Sequence, residues 1–347
     1  MRRGFDEMAT ERHDYMDWLR VFAIFSVVGI HEAAQLVSNM NIGHQIWWFA
    51  NLVDSALRNS VPLFFMMSGA LLLTRKQDEP LIPFFKKRVS KVAIPLLAWS
   101  IIYILYRKFM WFEEHTWKQL IKLVLTDSVF FHLWFLYVIL GLYLMTPFLR
   151  QIVKSSSKQM LQYFIGTWFV MSSLFPFVYK FFEFSINLSA GLFTTYIGFF
   201  VLGAYLIQFP IKRKWLPLLG LLAAIGYAVT AYGTYLLTVN NAGKLDGFYY
   251  LYIAPNTVVI AVFLFVLFQQ FPNVFKKNRL IQKISAASMG IYLLHPIIQL
   301  YGRRIGFDEY WVHPVIGLPV VWVCVFFSSF IIVWIIQKIP ILNKIVP

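Results

Sequence analysis

The chain has 347 residues, of which 59% are hydrophobic, 19% aromatic and only 14% charged, and it carries a net charge of +15. A soluble domain gives about a quarter of its residues to charge, so too little polar surface is available here to cover a water-facing globule. The basic excess comes with no nucleic-acid-binding signature and sits in short loops, where it reports membrane orientation; nucleic acid is excluded as a partner.

Apolar runs at 17–38, 47–73, 92–106, 129–149, 161–180, 190–209, 215–238, 249–271, 284–301 and 315–336 predict ten transmembrane helices. The chain therefore reads as an all-α polytopic membrane protein of about ten transmembrane helices. Residues 1–16 form a cytoplasmic N-terminal tail, 17–336 one membrane domain and 337–347 a cytoplasmic C-terminal tail. The charged start (Arg2, Arg3, Asp6, Glu7) is not followed by a short apolar stretch with a small-residue cleavage site, so no removable signal peptide is expected. Pro95, Pro176 and Pro255 are expected to kink their helices, which neighbouring helices tolerate. In the longest connection, 107–128, the amphipathic stretch 116–123 reads as a helix lying on the membrane surface. Lys and Arg crowd the loops on the N-terminal side and are sparse on the other, which places both termini in the cytoplasm. The lone cysteine, Cys324, falls in the last run and excludes a disulfide framework. The histidines show no close ligand spacing, so no metal site is expected.

Ionisable residues inside the bilayer are costly and mark candidate sites. Arg20 and His31 in the first span share a helical face about 16 Å apart along the axis, Arg20 near the cytoplasmic end and His31 past the midplane. Glu32 follows His31 but points about 100° away from it. Asp54 and Arg58 form an i,i+4 pair in the second span. Below them, Ser68-Gly69 is a small-residue pair suited to close helix approach. His132 and Trp134 open the fourth span at its outer end, and Tyr292 and His295 lie in the ninth, with His295 about 18 Å from the cytoplasm. Rough depth thus gathers His31, Arg58, His295 and His132 in the outer half of the membrane. The patch Lys86-Lys87-Arg88 with Lys91 marks a cytoplasmic mouth ahead of the third span. Together they suggest an anionic ligand inside and proton-transfer chemistry farther out.

Five stretches, in order, resemble a known family. They are Arg20-x10-His31; Arg58-x-Ser60-Val61-Pro62-Leu63-Phe64-Phe65-Met66-Met67-Ser68-Gly69; Phe84-Phe85-Lys86-Lys87-Arg88-x-x-Lys91; His132-Leu133-Trp134-Phe135; and Ser288-Met289-Gly290-Ile291-Tyr292-Leu293-Leu294-His295. The chain resembles the bacterial membrane acyltransferase family 3 over almost its whole length. It is most similar to the stand-alone type that O-acetylates enterobacterial common antigen. The third stretch departs in using Lys where many members carry Arg.

The resemblance implies an envelope O-acyltransferase of the bacterial inner (cytoplasmic) membrane. Its donor would be cytoplasmic acyl-CoA, most simply acetyl-CoA, used as a co-substrate, with no tightly bound cofactor. Its acceptor would be a hydroxyl of an envelope carbohydrate, possibly lipid-linked, on the outer side, and membrane lipids would surround it. His31 carries over as the essential catalytic residue and Arg20 as a donor contact. A mechanism fits this arrangement: Lys87, Arg88 and Lys91 hold the CoA phosphates at the mouth, with Ser68 beside the path. The slim pantetheine arm then threads past Arg20 toward His31. His31 acts either as general base on the acceptor hydroxyl or as a nucleophile that carries the acyl group. Arg58, His295 or a tyrosine hydroxyl would stabilise the oxyanion, and His132, Trp134, Tyr292 and Glu32 would contact the acceptor. The rival reading is a transporter or exporter of a lipid-linked sugar or small solute, working through an intramembrane His/Arg/Asp relay. No repeated motif relates the two halves, as many secondary transporters would show.

Overall fold

The computed structural model describes residues 14–75, 79–126, 129–182 and 196–347. The tail residues 1–13 and Lys76, which entered the orientation argument, lie outside them. The helices are α1 (Asp14–Asn39), α2 (Gln45–Leu57), α3 (Ser60–Leu73), α4 (Leu81–Trp111), α5 (Trp117–Leu125), α6 (Trp134–Ser155), α7 (Lys158–Phe169), α8 (Phe175–Phe182), α9 (Ile197–Gln208), α10 (Leu216–Asn240), α11 (Pro255–Gln270), α12 (Arg279–Arg304) and α13 (Pro314–Ile336). No strand occurs among the described residues.

Nine segments among the described residues are long and apolar enough to cross a membrane, and they fall on nine of the ten predicted spans. The chain is a multi-pass, all-α membrane protein. The remaining span, 190–209, is seen as the 12-residue α9, and residues 190–195 lie outside the described ones. At 1.5 Å per residue α9 is about 18 Å long, short of a hydrocarbon core of roughly 30 Å.

Three departures from the predicted spans have local causes. The second span is broken into α2 and α3 at Arg58-Asn59. Pro62 has no N–H to give the carbonyl of Arg58 one turn earlier, and the Asn59 side chain donates to the Ala56 carbonyl at 2.7 Å. The third span begins at Leu81, so the cationic patch rides on the first turns of α4 itself rather than in a loop ahead of it. In the fifth span, Pro176 withholds its N–H from Ser172, and 170–174 widens into a π-type turn between α7 and α8. Of the other expected kink sites, Pro95 stays inside a continuous α4 and Pro255 sits at the first position of α11, where a proline fits without a bend.

The amphipathic stretch of the long connection is helical, as α5, started by a reciprocal capping box between Thr116 and Gln119. The core is built where small residues admit a neighbour's backbone. A Cβ on Gly69 would lie 1.7 Å from the Phe200 carbonyl oxygen, and one on Gly203 would lie 1.9 Å from that of Met66, so α3 and α9 pack backbone to backbone. Residues after α13 pack as well: Trp99 of α4 donates to the Ile345 carbonyl at 2.9 Å, and Val346 is buried.

Candidate active site

Three imidazoles meet at one end of the bundle, beside the C-terminal halves of α1 and α12. His31 comes from α1, His295 from α12, and His132 from the turn that leads into α6. The rings of His31 and His295 lie 5.2 Å apart and 25° from parallel, and His132 stands edge-on to His295 at 5.8 Å. Hydrogen bonds hold these elements in place. The Tyr292 hydroxyl donates to the His132 carbonyl, Tyr103 of α4 donates to the Leu293 carbonyl at 2.7 Å, and Gln299 donates to the His31 carbonyl at 2.9 Å. His132 and His295 are buried, whereas His31 is half-exposed beside Phe131, whose ring centre is 4.9 Å away. Of the three, His31 is the ring with access to a ligand.

On one side of His31, Arg58 donates to Asp54 at 2.5 Å and lies 4.2 Å over the ring of Tyr250. Its guanidinium falls within electrostatic reach of His31. Asp54 is fully covered while Arg58 keeps 15% exposure, so the open end of the pair is the cation. Tyr252 adjoins Arg58, and Trp134 packs between Tyr252, at 5.8 Å, and Tyr196, at 5.4 Å. All three rings are half-buried. They form an aromatic wall next to a cation.

Toward the start of α1, Arg20 donates to the Ser285 hydroxyl at 3.0 Å, and that hydroxyl donates to Asp17 at 2.7 Å. Tyr143 of α6 sits beside Ser68 in the combined field of Arg88 and Arg20. Arg88 is half-buried with its Nε lacking a hydrogen-bond partner among the described residues, while Lys87 and Lys91 are exposed on the same helix. The cations thus grade from exposed lysines through Arg88 to Arg20, inward along α4 and α1.

Glu32 departs from its predicted place among the acceptor contacts. It is 1% exposed and turned away from the ring cluster, 3.6 Å from Arg303, which also lies 3.6 Å from Glu309. The cause is the 100° step from His31, which aims Glu32 at the end of α12. In the loop after α12, burial pushes the Glu309 carboxyl above the usual carboxylate range, against the pull of Arg303. An apolar cavity of about 790 Å³ between α4 and α5, lined by Ile101, Leu105, Trp117 and Ile121 among others, contains none of the predicted site residues.

Asp17, Tyr143, Tyr196, Tyr250, Tyr252, Gln299 and Arg303 were not among the predicted site residues. Asp17 had a usable signal, an i,i+3 spacing to Arg20. The others join the site through tertiary contacts across distant helices, and their spacing along the chain carries no trace of it.

An all-helical membrane protein with a half-exposed histidine between two cationic groups is the class this site defines. The family model described as an acyltransferase domain matches residues 13–338, nearly the whole chain. The chain belongs to acyltransferase family 3 and is a membrane acyltransferase. No curated protein and no solved structure matches it.

Proposed function

We propose that the protein moves an acetyl group from cytoplasmic acetyl-CoA to a hydroxyl of an envelope carbohydrate on the outer side of a bacterial inner membrane. The observation that carries this reading is the position of His31. Its half-exposed ring lies between the Arg20–Arg88 group toward the start of α1 and the Arg58–aromatic group at the break between α2 and α3.

CoA phosphates cannot enter hydrocarbon, so they stay at the exposed Lys87 and Lys91 and at Arg88, where a guanidinium suits bidentate phosphate contact. The uncharged pantetheine passes Ser68 and Arg20, and the rise from Arg20 to His31 of about 16 Å matches an extended arm. The acceptor lies against Trp134, Tyr196 and Tyr252, rings suited to covering the apolar face of a sugar. His31 takes the hydroxyl proton as the oxygen attacks the thioester carbonyl, and the exposed end of Arg58 faces the oxyanion. Arg58 is better suited than His295 to that last role, because the one His295 nitrogen with a hydrogen-bond partner is spent on a backbone carbonyl.

Free-thiol release from acetyl-CoA and from succinyl-CoA by the purified protein tests the reading, with His31→Ala and Arg20→Ala as comparisons. Release from acetyl-CoA is expected to fall at least a hundredfold in His31→Ala. In Arg20→Ala the KM for acetyl-CoA is expected to rise about tenfold or more, the worth of a charged hydrogen bond. A folded protein that stays silent with envelope extracts added would overturn the reading and leave the exporter in its place.

A further inference from the structure

His295 is followed by Pro296, and that dipeptide has a chemical consequence. A proline in a helix has no N–H, so the carbonyl of Tyr292, four residues earlier, loses its helical donor. The His295 ring sits against the carbonyls of Ile291 and Tyr292. Its Nδ1 lies 3.2 Å from the Ile291 oxygen. A carbonyl oxygen only accepts, so the proton of the neutral ring must be on Nδ1, and Nε2 is left as a bare lone pair. That Nε2 is buried and has no hydrogen-bond partner among the described residues, and the ring beside it is His31. An acceptor of this kind, unpaired and dry, is costly to maintain unless something donates to it.

We propose that His295 is the positioning residue of His31: its tautomer-locked Nε2 accepts an N–H from His31 once substrate is bound. This inference rests on the acyltransferase reading and deepens it. With one nitrogen of His31 donating to His295, the other is necessarily the bare base that faces the cavity. That is the logic of a base oriented by a third group, with an imidazole in the orienting place. The two rings lie side by side with 5.2 Å between their centres, and such contacts commonly tighten in the reacting complex.

In the step itself, the acceptor O–H bond breaks and its proton goes to the bare nitrogen of His31, while the oxygen bonds to the thioester carbon. Collapse breaks the C–S bond, and the proton passes from His31 to the departing sulfur. His295 Nε2 shares the positive charge of His31 in between and is unchanged at the end. The other titratable and charged groups around the dyad are His132 from the turn before α6, Tyr103 from α4, Tyr292 from α12 itself, Arg58 between α2 and α3, and Arg303 at the end of α12. His132 is the competing donor to Nε2, because its ring stands edge-on to that of His295 at 5.8 Å.

Three variants and one spectrum test the proposal. His295→Phe keeps ring volume and removes both nitrogens, and His295→Gln restores an acceptor near the position of Nε2. The phenylalanine variant is expected to keep the wild-type KM for acetyl-CoA, to lose kcat about 10²- to 10⁴-fold, and to shift the acidic limb of its pH–rate profile. His295→Gln is expected to recover at least tenfold of that loss. Nitrogen NMR of histidine-labelled protein is expected to show His295 protonated at Nδ1 and bare at Nε2, a readout that does not depend on activity. Wild-type kcat in His295→Phe would overturn the proposal, as would equal losses in both variants with an unmoved pH profile, or a resting His295 protonated at Nε2. If His132→Phe reproduces the His295→Phe profile and His31 keeps its tautomer in His295→Phe, the donor is His132 and the proposal also fails. Silence of the wild-type enzyme toward acyl-CoA would count against the proposed function, and the spectrum would still decide the tautomer.

Discussion

Asp54 is completely covered, and one of its carboxylate oxygens, Oδ1, has no hydrogen-bond partner among the described residues, so its charge depends on Arg58 at 2.5 Å. Two buried opposite charges gain little over apolar packing, but a single orphaned charge is expensive. Asp54→Asn is therefore expected to destabilise the protein by about 3–5 kcal/mol, the usual cost of breaking a buried pair. The double variant Asp54→Leu with Arg58→Met is expected to regain most of that stability while remaining inactive. Thermal unfolding in detergent beside thiol release separates the two effects. An inactive Asp54→Asn protein of unchanged stability would place Asp54 in the chemistry rather than in support of Arg58. The i,i+4 spacing made this pair legible in the sequence, because one helical turn fixes both residues on one face. The partners Tyr250 and Tyr252 were not legible. They arrive from the segment before α11, nearly two hundred residues away, and only the packing of α2, α10 and α11 brings them there.

Among the elements, the α3–α9 contact has no tolerance for a side chain, whereas other helical glycines have open space around them. Gly69→Ala sets a methyl against the Phe200 carbonyl, so it forces the backbones apart and is expected to cost about 1–3 kcal/mol or more. Gly141→Ala in α6 meets nothing within 4 Å and is expected to be neutral or stabilising by up to about 1 kcal/mol. Melting temperatures of the two variants check the contrast. Equal shifts would mean that α3 and α9 are not held at this separation. The strap between α4 and α5 is held differently. Glu113 accepts from Arg107 at 2.6 Å and contacts His115 at 3.1 Å, and Arg107 also donates to the Val129 carbonyl. The hydrogen bond from Arg107 holds the Glu113 carboxyl below the usual carboxylate range. A carboxyl lowered in the folded state contributes fully above its unfolded pKa, and the contribution is lost as pH falls through the folded value. Amide exchange in 112–125 is therefore expected to quicken on acidification below the carboxylate range. Glu113→Gln is expected to exchange quickly at neutral pH and to lose that response, and an identical response in both proteins would remove Glu113 from the strap.

For the whole molecule, hydropathy made legible the nine segments among the described residues that are long and apolar enough to cross a membrane, because length and apolarity act locally. It missed the break at Arg58-Asn59 and the full reach of α4, since an apolar count does not see a withheld proline N–H or a helix that continues through a cationic turn. The same local character makes the orientation testable. Positive-inside bias puts Lys87 at the cytoplasmic face. Glu114, one crossing of α4 later, then belongs on the outer face. The one cysteine, Cys324, lies within α13, so Cys324→Ser gives a background without thiols at little structural cost. In intact cells, a membrane-impermeant maleimide is expected to label Glu114→Cys and to spare Lys87→Cys, with the order reversed in inside-out vesicles. The opposite pattern would put the Lys87–Arg88–Lys91 patch outside. A cytoplasmic CoA thioester could not then reach the cations proposed to hold it, and the donor side of the reaction would have to be redrawn from the other end of α1.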